Sequence, residues 1–120
     1  MDEREFKRRT KELGLGVIRL IEALPRGRTA DVVSRQLVRS ATSVGANYRA
    51  ACRGRSAADV VAKLGIVLEE ADETIYWLEI LVESGIVPAN KVAHLATEAD
   101  ELVAMTVESI KTLKSRVRAI

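Results

Sequence analysis

The chain has 120 residues, 48% of them apolar and 30% charged, and its 19 basic and 17 acidic side chains leave a formal net charge of +2. That length predicts one domain spanning residues 1–120 with a core of its own, and so small a net charge does not by itself mark a nucleic-acid binder. Two prolines, seven glycines and four aromatic residues (Phe6, Tyr48, Tyr76, Trp77) are too few for the turns of a β-sandwich, and a lone cysteine, Cys52, excludes an internal disulfide.

Three breaks divide the chain. Leu24-Pro25-Arg26-Gly27-Arg28-Thr29 ends a first helix at Pro25, and Thr29 is placed to cap the second. Arg53-Gly54-Arg55-Ser56 ends the second, with Gly54 suited to a left-handed C-cap and Ser56 to an N-cap. Ser56-Ala57-Ala58-Asp59 has the spacing of a capping box. Ser84-Gly85-Ile86-Val87-Pro88 forms the third break, with Pro88 suited to a first helical turn.

Between the breaks, apolar residues recur in alternating steps of three and four. The first stripe is Phe6, Leu13, Val17, Leu20, Ile21 and Leu24, and the second Val33, Leu37, Ala41, Val44, Tyr48 and Ala51. The third is Val60, Leu64, Val67, Ala71, Ile75, Leu78 and Val82. The fourth is Val92, Leu95, Ala99, Leu102, Thr106, Ile110, Leu113 and Val117. Long helices joined by short loops must lie antiparallel to their neighbours. The pattern predicts an all-α, up-down-up-down four-helix bundle. Ser40, Ser43 and Asn47 flank the second stripe, where small polar side chains set helix register.

Charge is divided unevenly along the chain. Residues 30–55 hold Arg35, Arg39, Arg49, Arg53 and Arg55 against Asp31 alone, whereas residues 57–84 hold seven acids against Lys63. At 100° per residue, Arg35, Arg39, Arg49 and Arg53 fall within an arc of about 80° opposite the core, a ridge roughly 27 Å long. Arg26 and Arg28 extend it from the first loop. Guanidinium forks suit phosphates and carboxylates alike, so two functions fit. One is a nucleic-acid-binding accessory role for the seven arginines. The other is a protein-interaction scaffold in which acidic neighbours consume them. No aromatic residue interleaves with the ridge, which argues against single-stranded base readout.

The third helix also sets Ala62, Ile66, Trp77 and Ile80 opposite its core stripe, with Tyr76 at one margin. Apolar residues so placed predict self-association. Ile66, Glu69, Glu73, Tyr76, Trp77 and Ile80 form the candidate interface, in which Glu69 and Glu73 meet arginines of a neighbouring subunit.

No enzyme, metal or cofactor signature accompanies these surfaces. A di-iron bundle needs two Glu-x-x-His motifs, but the single histidine, His94, has Lys91 three residues before it. Cys52 reads as a small buried hydrophobe. Gly14-Leu15-Gly16 lacks the third glycine and preceding strand of a dinucleotide site and reads as close helix packing. No apolar run reaches the roughly 18 residues of a membrane span. With the charged start and the lone cysteine, this predicts a cytoplasmic protein with neither membrane partner nor small-molecule substrate.

Gln36-Leu37, Arg39-Ser40-Ala41, Ser43-Val44 and Ala46-Asn47, followed by the Tyr76-Trp77-Leu78-Glu79 third helix, resemble the bacterial S23 family, proteins encoded in intervening sequences of 23S ribosomal RNA genes. Many members continue Ile-Ala-Glu-Gly after the asparagine, whereas Tyr48, Arg49, Ala50 and Ala51 stand here. Any role of that glutamate is therefore not carried over. The resemblance implies a four-helix bundle assembled as a homopentamer and, through a related accessory protein of diversity-generating retroelements, a basic surface for RNA or DNA. It implies no catalytic residue.

Overall fold

A computed structural model describes residues 2–119, with side chains as far as Arg116. Four helices follow in order: α1 (Glu3–Glu22), α2 (Arg28–Cys52), α3 (Ala57–Glu83) and α4 (Ala89–Ala119). They form an antiparallel bundle 54 × 21 × 21 Å in which α1 packs on α2, α2 on α3, α3 on α4, and α1 more lightly on α4. The all-α architecture is the one the stripes predict.

Each helix end has a local cause. Asp2 caps α1 by accepting a hydrogen bond from the Glu5 amide (2.7 Å). Ser56 does the same for α3 through the Asp59 amide (3.1 Å), and the Asp59 carboxylate reaches back to the Arg55 amide (3.0 Å). Lys63, then that amide, hold the Asp59 carboxyl below its ordinary range. The expected cap at Thr29 does not form. Helix α2 starts two residues earlier, with Gly27 as its N-cap and no side-chain bond. Pro88 immediately precedes α4, and its carbonyl accepts from the Lys91 amide (3.0 Å).

The left-handed C-cap lies at Gly85, not Gly54. Gly85 has φ +80° and is the one left-handed residue among those described. The Ile86 amide bonds Leu81 (3.1 Å) and the Gly85 amide bonds Val82 (3.0 Å), which is a Schellman closure. Gly54 serves a different need. A Cβ there would run into the stiff Val60 side chain, with the Ala51 carbonyl at 3.1 Å. The turn between α2 and α3 is therefore set by close approach, not by handedness.

The second stripe is buried throughout, and the first and fourth are buried or half-buried as far as Leu113; the side chain of Val117 lies outside the described residues. Helix α3 is rotated. Its buried set is Leu64, Val67, Ala71, Thr74, Leu78 and Leu81, with Val60, Ile75 and Val82 at the margin. The stripe has turned by roughly 30°. Thr74 moves inward because its hydroxyl lies 3.1 Å from the Ser40 hydroxyl of α2, with the Leu37 (3.1 Å) and Glu70 (2.8 Å) carbonyls completing the pair. Asn47 bonds back to the Ser43 carbonyl of its own helix (2.9 Å), so it is the Ser40–Thr74 contact that ties this polar flank to α3. Close packing also holds at Gly14, against Thr42, and at Gly45, against Thr10.

Two glycine substitutions should act in opposite directions. Gly85→Ala forces a side chain into left-handed backbone and should destabilise by about 1 kcal/mol or more. Gly65 lies inside α3 with open space where a Cβ would go. Gly65→Ala should therefore stabilise by about 0.5–1 kcal/mol. Urea denaturation of both variants checks the pair of signs.

Candidate nucleic-acid interface

Helix α2 turns Val33, Leu37, Ala41, Val44 and Tyr48 into the core, which obliges residues half a turn away to face solvent. Arg35, Arg39, Arg49 and Arg53 are all exposed, as are Arg28 at the start of α2 and Arg26 and Arg55 in the flanking loops. The ridge expected from helical spacing thus exists as a surface. Among the described residues, Arg39 alone of the seven has an ion-pair partner. One Nη lies 3.0 Å from Glu70 and the other bonds Glu73, both on α3 of the same chain. Glu73, expected to meet a neighbouring subunit, is engaged internally, and Arg39 is diverted from the ridge. Glu69 has no such partner.

Trp77 and Ile80 were expected to point outward, but both are half-buried and packed against the core. The rotation of α3 that brings Thr74 inward carries them to the α2 side. The Trp77 Nε1 is buried and lacks a hydrogen-bond partner, and Tyr76 packs edge-on against the indole (centroids 5.0 Å apart). Ile66 (42% exposed) and Tyr76 (52%) remain on the surface.

A wider basic surface becomes visible only in three dimensions. Arg49 shares a groove of about 410 Å³ between α1 and α2 with Lys7, Arg8 and Lys11. Lys7 faces Glu3 (3.6 Å), and Arg8 bonds Glu5 and Glu12, which leaves Lys11 and Arg49 without a carboxylate among the described residues. The spacing of Lys7 and Lys11 marks one face of α1, but only packing against α2 brings that face beside Arg49. Arg9 has a structural task instead. Only 16% exposed, it bonds Glu98 (2.6 Å) and Glu101 (2.8 Å) and joins α1 to α4.

Cys52 and His94 are not brought together. Cys52 lines a cleft of about 640 Å³ at one end of the bundle, with Tyr48, Leu64 and Leu113, whereas His94 lines a separate one beside Arg19. Burial, and then the nearby Glu3 carboxylate, push the Cys52 thiol up. Burial likewise pushes Tyr48 up. Both groups stay protonated at neutral pH, and a protonated thiol is a poor nucleophile. Phe6 stacks flat on Tyr48 (4.1 Å between centroids), which closes the floor of the cleft. Among the described residues no cluster of three histidine, cysteine or carboxylate groups is set to hold a metal. No helix described is long and apolar enough to cross a membrane.

Fold and surface together define a four-helix bundle whose features lie on its outer helix faces. The model of the 23S rRNA-intervening sequence protein family matches residues 3–108, and the chain belongs to that family. A crystal structure of a protein of unknown function from the S23 ribosomal protein family of Bacteroides thetaiotaomicron is similar. Its TM-score is 0.82 at 33% identity, over 88% of this chain and 98% of that one. None of the curated proteins matches the chain. The family has no known function.

Two measurements check the site chemistry. Arg39→Ala should lower stability by under about 1 kcal/mol, the range of half-exposed ion pairs, and the difference should shrink in 1 M NaCl. Cys52 in the folded protein should react more slowly with a disulfide reagent at pH 8 than glutathione does, because its raised pKa leaves less thiolate.

Proposed function

We propose that this protein is a non-enzymatic, self-associating accessory factor that binds the phosphate backbone of RNA or DNA. The observation that carries the reading is a set of six exposed arginines, Arg26, Arg28, Arg35, Arg49, Arg53 and Arg55, with no carboxylate partner among the described residues. An arginine fork without an internal acid is free for a phosphate. Arg39 belongs to the same ridge and is engaged only where phosphate displaces Glu70 and Glu73. Half-buried Trp77 and Ile80, with exposed Ile66 and Tyr76, support self-association. A ring of five subunits is what the family resemblance adds. The absence of exposed aromatics beside the ridge favours duplex over single strands.

A second reading has an observation of its own. Arg39 bound by Glu70 and Glu73 shows how readily this ridge accepts carboxylates, so an interaction scaffold with an acidic protein partner uses the same groups. Salt separates the two. Phosphate binding releases condensed counterions, and each lost arginine contact should flatten the log–log salt slope on duplex DNA by about 0.9. Fluorescence anisotropy with duplex DNA and structured RNA at two salt concentrations is the test. Arg35→Ala with Arg53→Ala should weaken binding evenly across sequences and reduce the slope by roughly 1.8 on the same basis. No binding at 50 mM salt rejects the nucleic-acid reading and leaves the scaffold.

A further inference from the structure

The last turn of α1 leaves the connection between α3 and α4 partly uncovered. Helix α1 is the shortest of the four and ends at Glu22, and its packing on α4 is the lightest between neighbouring helices. A half-open cleft of about 580 Å³ remains between the end of α1, the Ile86–Pro88 turn and the first turns of α4. Its walls are apolar. Leu20, Leu24 and Ile86 are half-buried along them, and Val87 and Leu95 are buried beneath. Gly16 lets Leu95 lie against α1, because a Cβ there would come within 2.6 Å of Leu95 Cδ2.

The charged groups of this cleft are of one sign. Arg19 of α1 and Lys91 of α4 line it, and no carboxylate does. His94, one turn after Lys91, adds an imidazole, which offers an N–H donor in either protonation state. All three side chains are exposed. The first acid of α4, Glu98, is already taken by Arg9 (2.6 Å), so Arg19 and Lys91 keep no carboxylate partner among the described residues. No residue of α2 contributes to the lining, which separates the cleft from the arginine ridge.

Small-molecule sites combine mostly apolar walls with a few convergent polar groups, in volumes of roughly 300–1,000 Å³. Both conditions hold here. A purely apolar occupant would desolvate two cations without pairing them, which is costly. A nucleic-acid backbone would pair the cations but offers no apolar group to the walls. We propose that the cleft binds a small amphipathic anion, a single aliphatic chain that ends in a carboxylate or a phosphate. The tail lies on Leu20, Leu24, Ile86 and Leu95. The head takes the Arg19 fork, the Lys91 ammonium and the His94 imidazole at the rim. Carboxylate and phosphate share this chemistry, since a guanidinium fork gives either one two parallel hydrogen bonds. The inference does not depend on the nucleic-acid reading, because the two use different residues on different helices.

Amide NMR of the isotope-labelled full chain, titrated separately with decanoate, decyl phosphate and decanol, is the test. At least one anion should saturate a single site and shift the amides of Leu24, Ile86, Val87 and Leu95. The tighter of the two names the head. Decanol, with the same tail and no charge, should bind at least about tenfold more weakly, the worth of a charge-assisted hydrogen bond. Each methylene moved from water into the cleft should tighten binding by up to about fourfold, so the matching octyl anion should bind roughly tenfold more weakly. Arg19→Ala with Lys91→Ala should erase the advantage of the anions over decanol. Ala23→Phe, at the edge of the cleft, should obstruct the tail and weaken all three probes. These three positions are exposed, and an unchanged melting temperature checks that each variant is folded. The proposal fails if neither anion saturates below about 1 mM, or if decanol binds as well as the anions. Equal binding of octyl and decyl anions means an adventitious ion only and also overturns it, as do shifts centred on the Tyr48–Cys52 cleft at the opposite end of the bundle. If no probe binds and duplex RNA shifts the same amides, the cations belong to a nucleic-acid surface and the proposal fails.

Discussion

The narrowness of the bundle governs everything else about this molecule. Four helices of 20 to 31 residues share a core inside a cross-section only 21 Å square. At the 8–10 Å separations of packed helices there is no width for an internal chamber. Small residues at the crossings, Gly14, Ala41, Gly45, Ala71 and Ala99, make the approach possible. The buried hydroxyls of Thr10, Ser40, Thr74 and Thr106 each donate to a carbonyl of the preceding turn in their own helix, within 2.6–3.1 Å. These core hydroxyls are satisfied within their own helices. Chemistry that involves a partner must therefore take place on the outer arcs of the helices.

Those arcs are kept apart by a small number of polar contacts. The Ser40–Thr74 pair fixes the rotation of α3 against α2, and Arg39 reinforces it from outside through Glu70 and Glu73. Arg9 performs the equivalent task between α1 and α4, where hydrophobic packing is lightest. Neither cluster needs to supply much net stability. Their effect is on orientation. With α3 rotated by Thr74, the stripe of Glu69, Asp72, Tyr76, Glu79 and Glu83 faces outward while Trp77 turns in beside the core. With α1 held at Gly14, the line of Lys11, Leu15 and Ile18 lies along the groove rather than over α4.

Periodicity made the bundle legible, because a three-four repeat of apolar residues has only one economical solution on a helix. It also located the arginine ridge, since exposure on α2 follows directly from its well-defined core stripe. It misplaced Trp77 and Ile80 because a stripe containing Ala71 and Thr74 has a weakly defined centre. A buried threonine carries no hydrophobic signal, and only its partner Ser40 across the interface explains its position. The positive-φ glycine was misassigned for a related reason. Gly54 and Gly85 both follow a helix, and the choice between handedness and close approach depends on whether Val60 lies against the position. The pairing of Arg39 with α3, and of Lys11 with Arg49 across a groove, required two helices at once and had no counterpart in a single helical wheel.

The arginine ridge and the α1–α2 groove share α2. Arg26, Arg28, Arg35, Arg53 and Arg55 lie along or beyond the ends of the segment that walls the groove, whereas Arg49 lines it. Five unpaired arginines therefore lie outside the groove. A handful of phosphate contacts from one subunit is weak at physiological ionic strength, where non-specific binding constants run to about 10⁻⁴–10⁻⁶ M. Repetition of the ridge around an assembly changes that arithmetic without any new contact. Once one ridge is engaged, the next meets the same backbone at an effective concentration in the millimolar range, and the combined affinity rises by about 10²–10⁴. Self-association, as proposed, thus serves the proposed nucleic-acid binding by multiplying the arginines that one backbone meets.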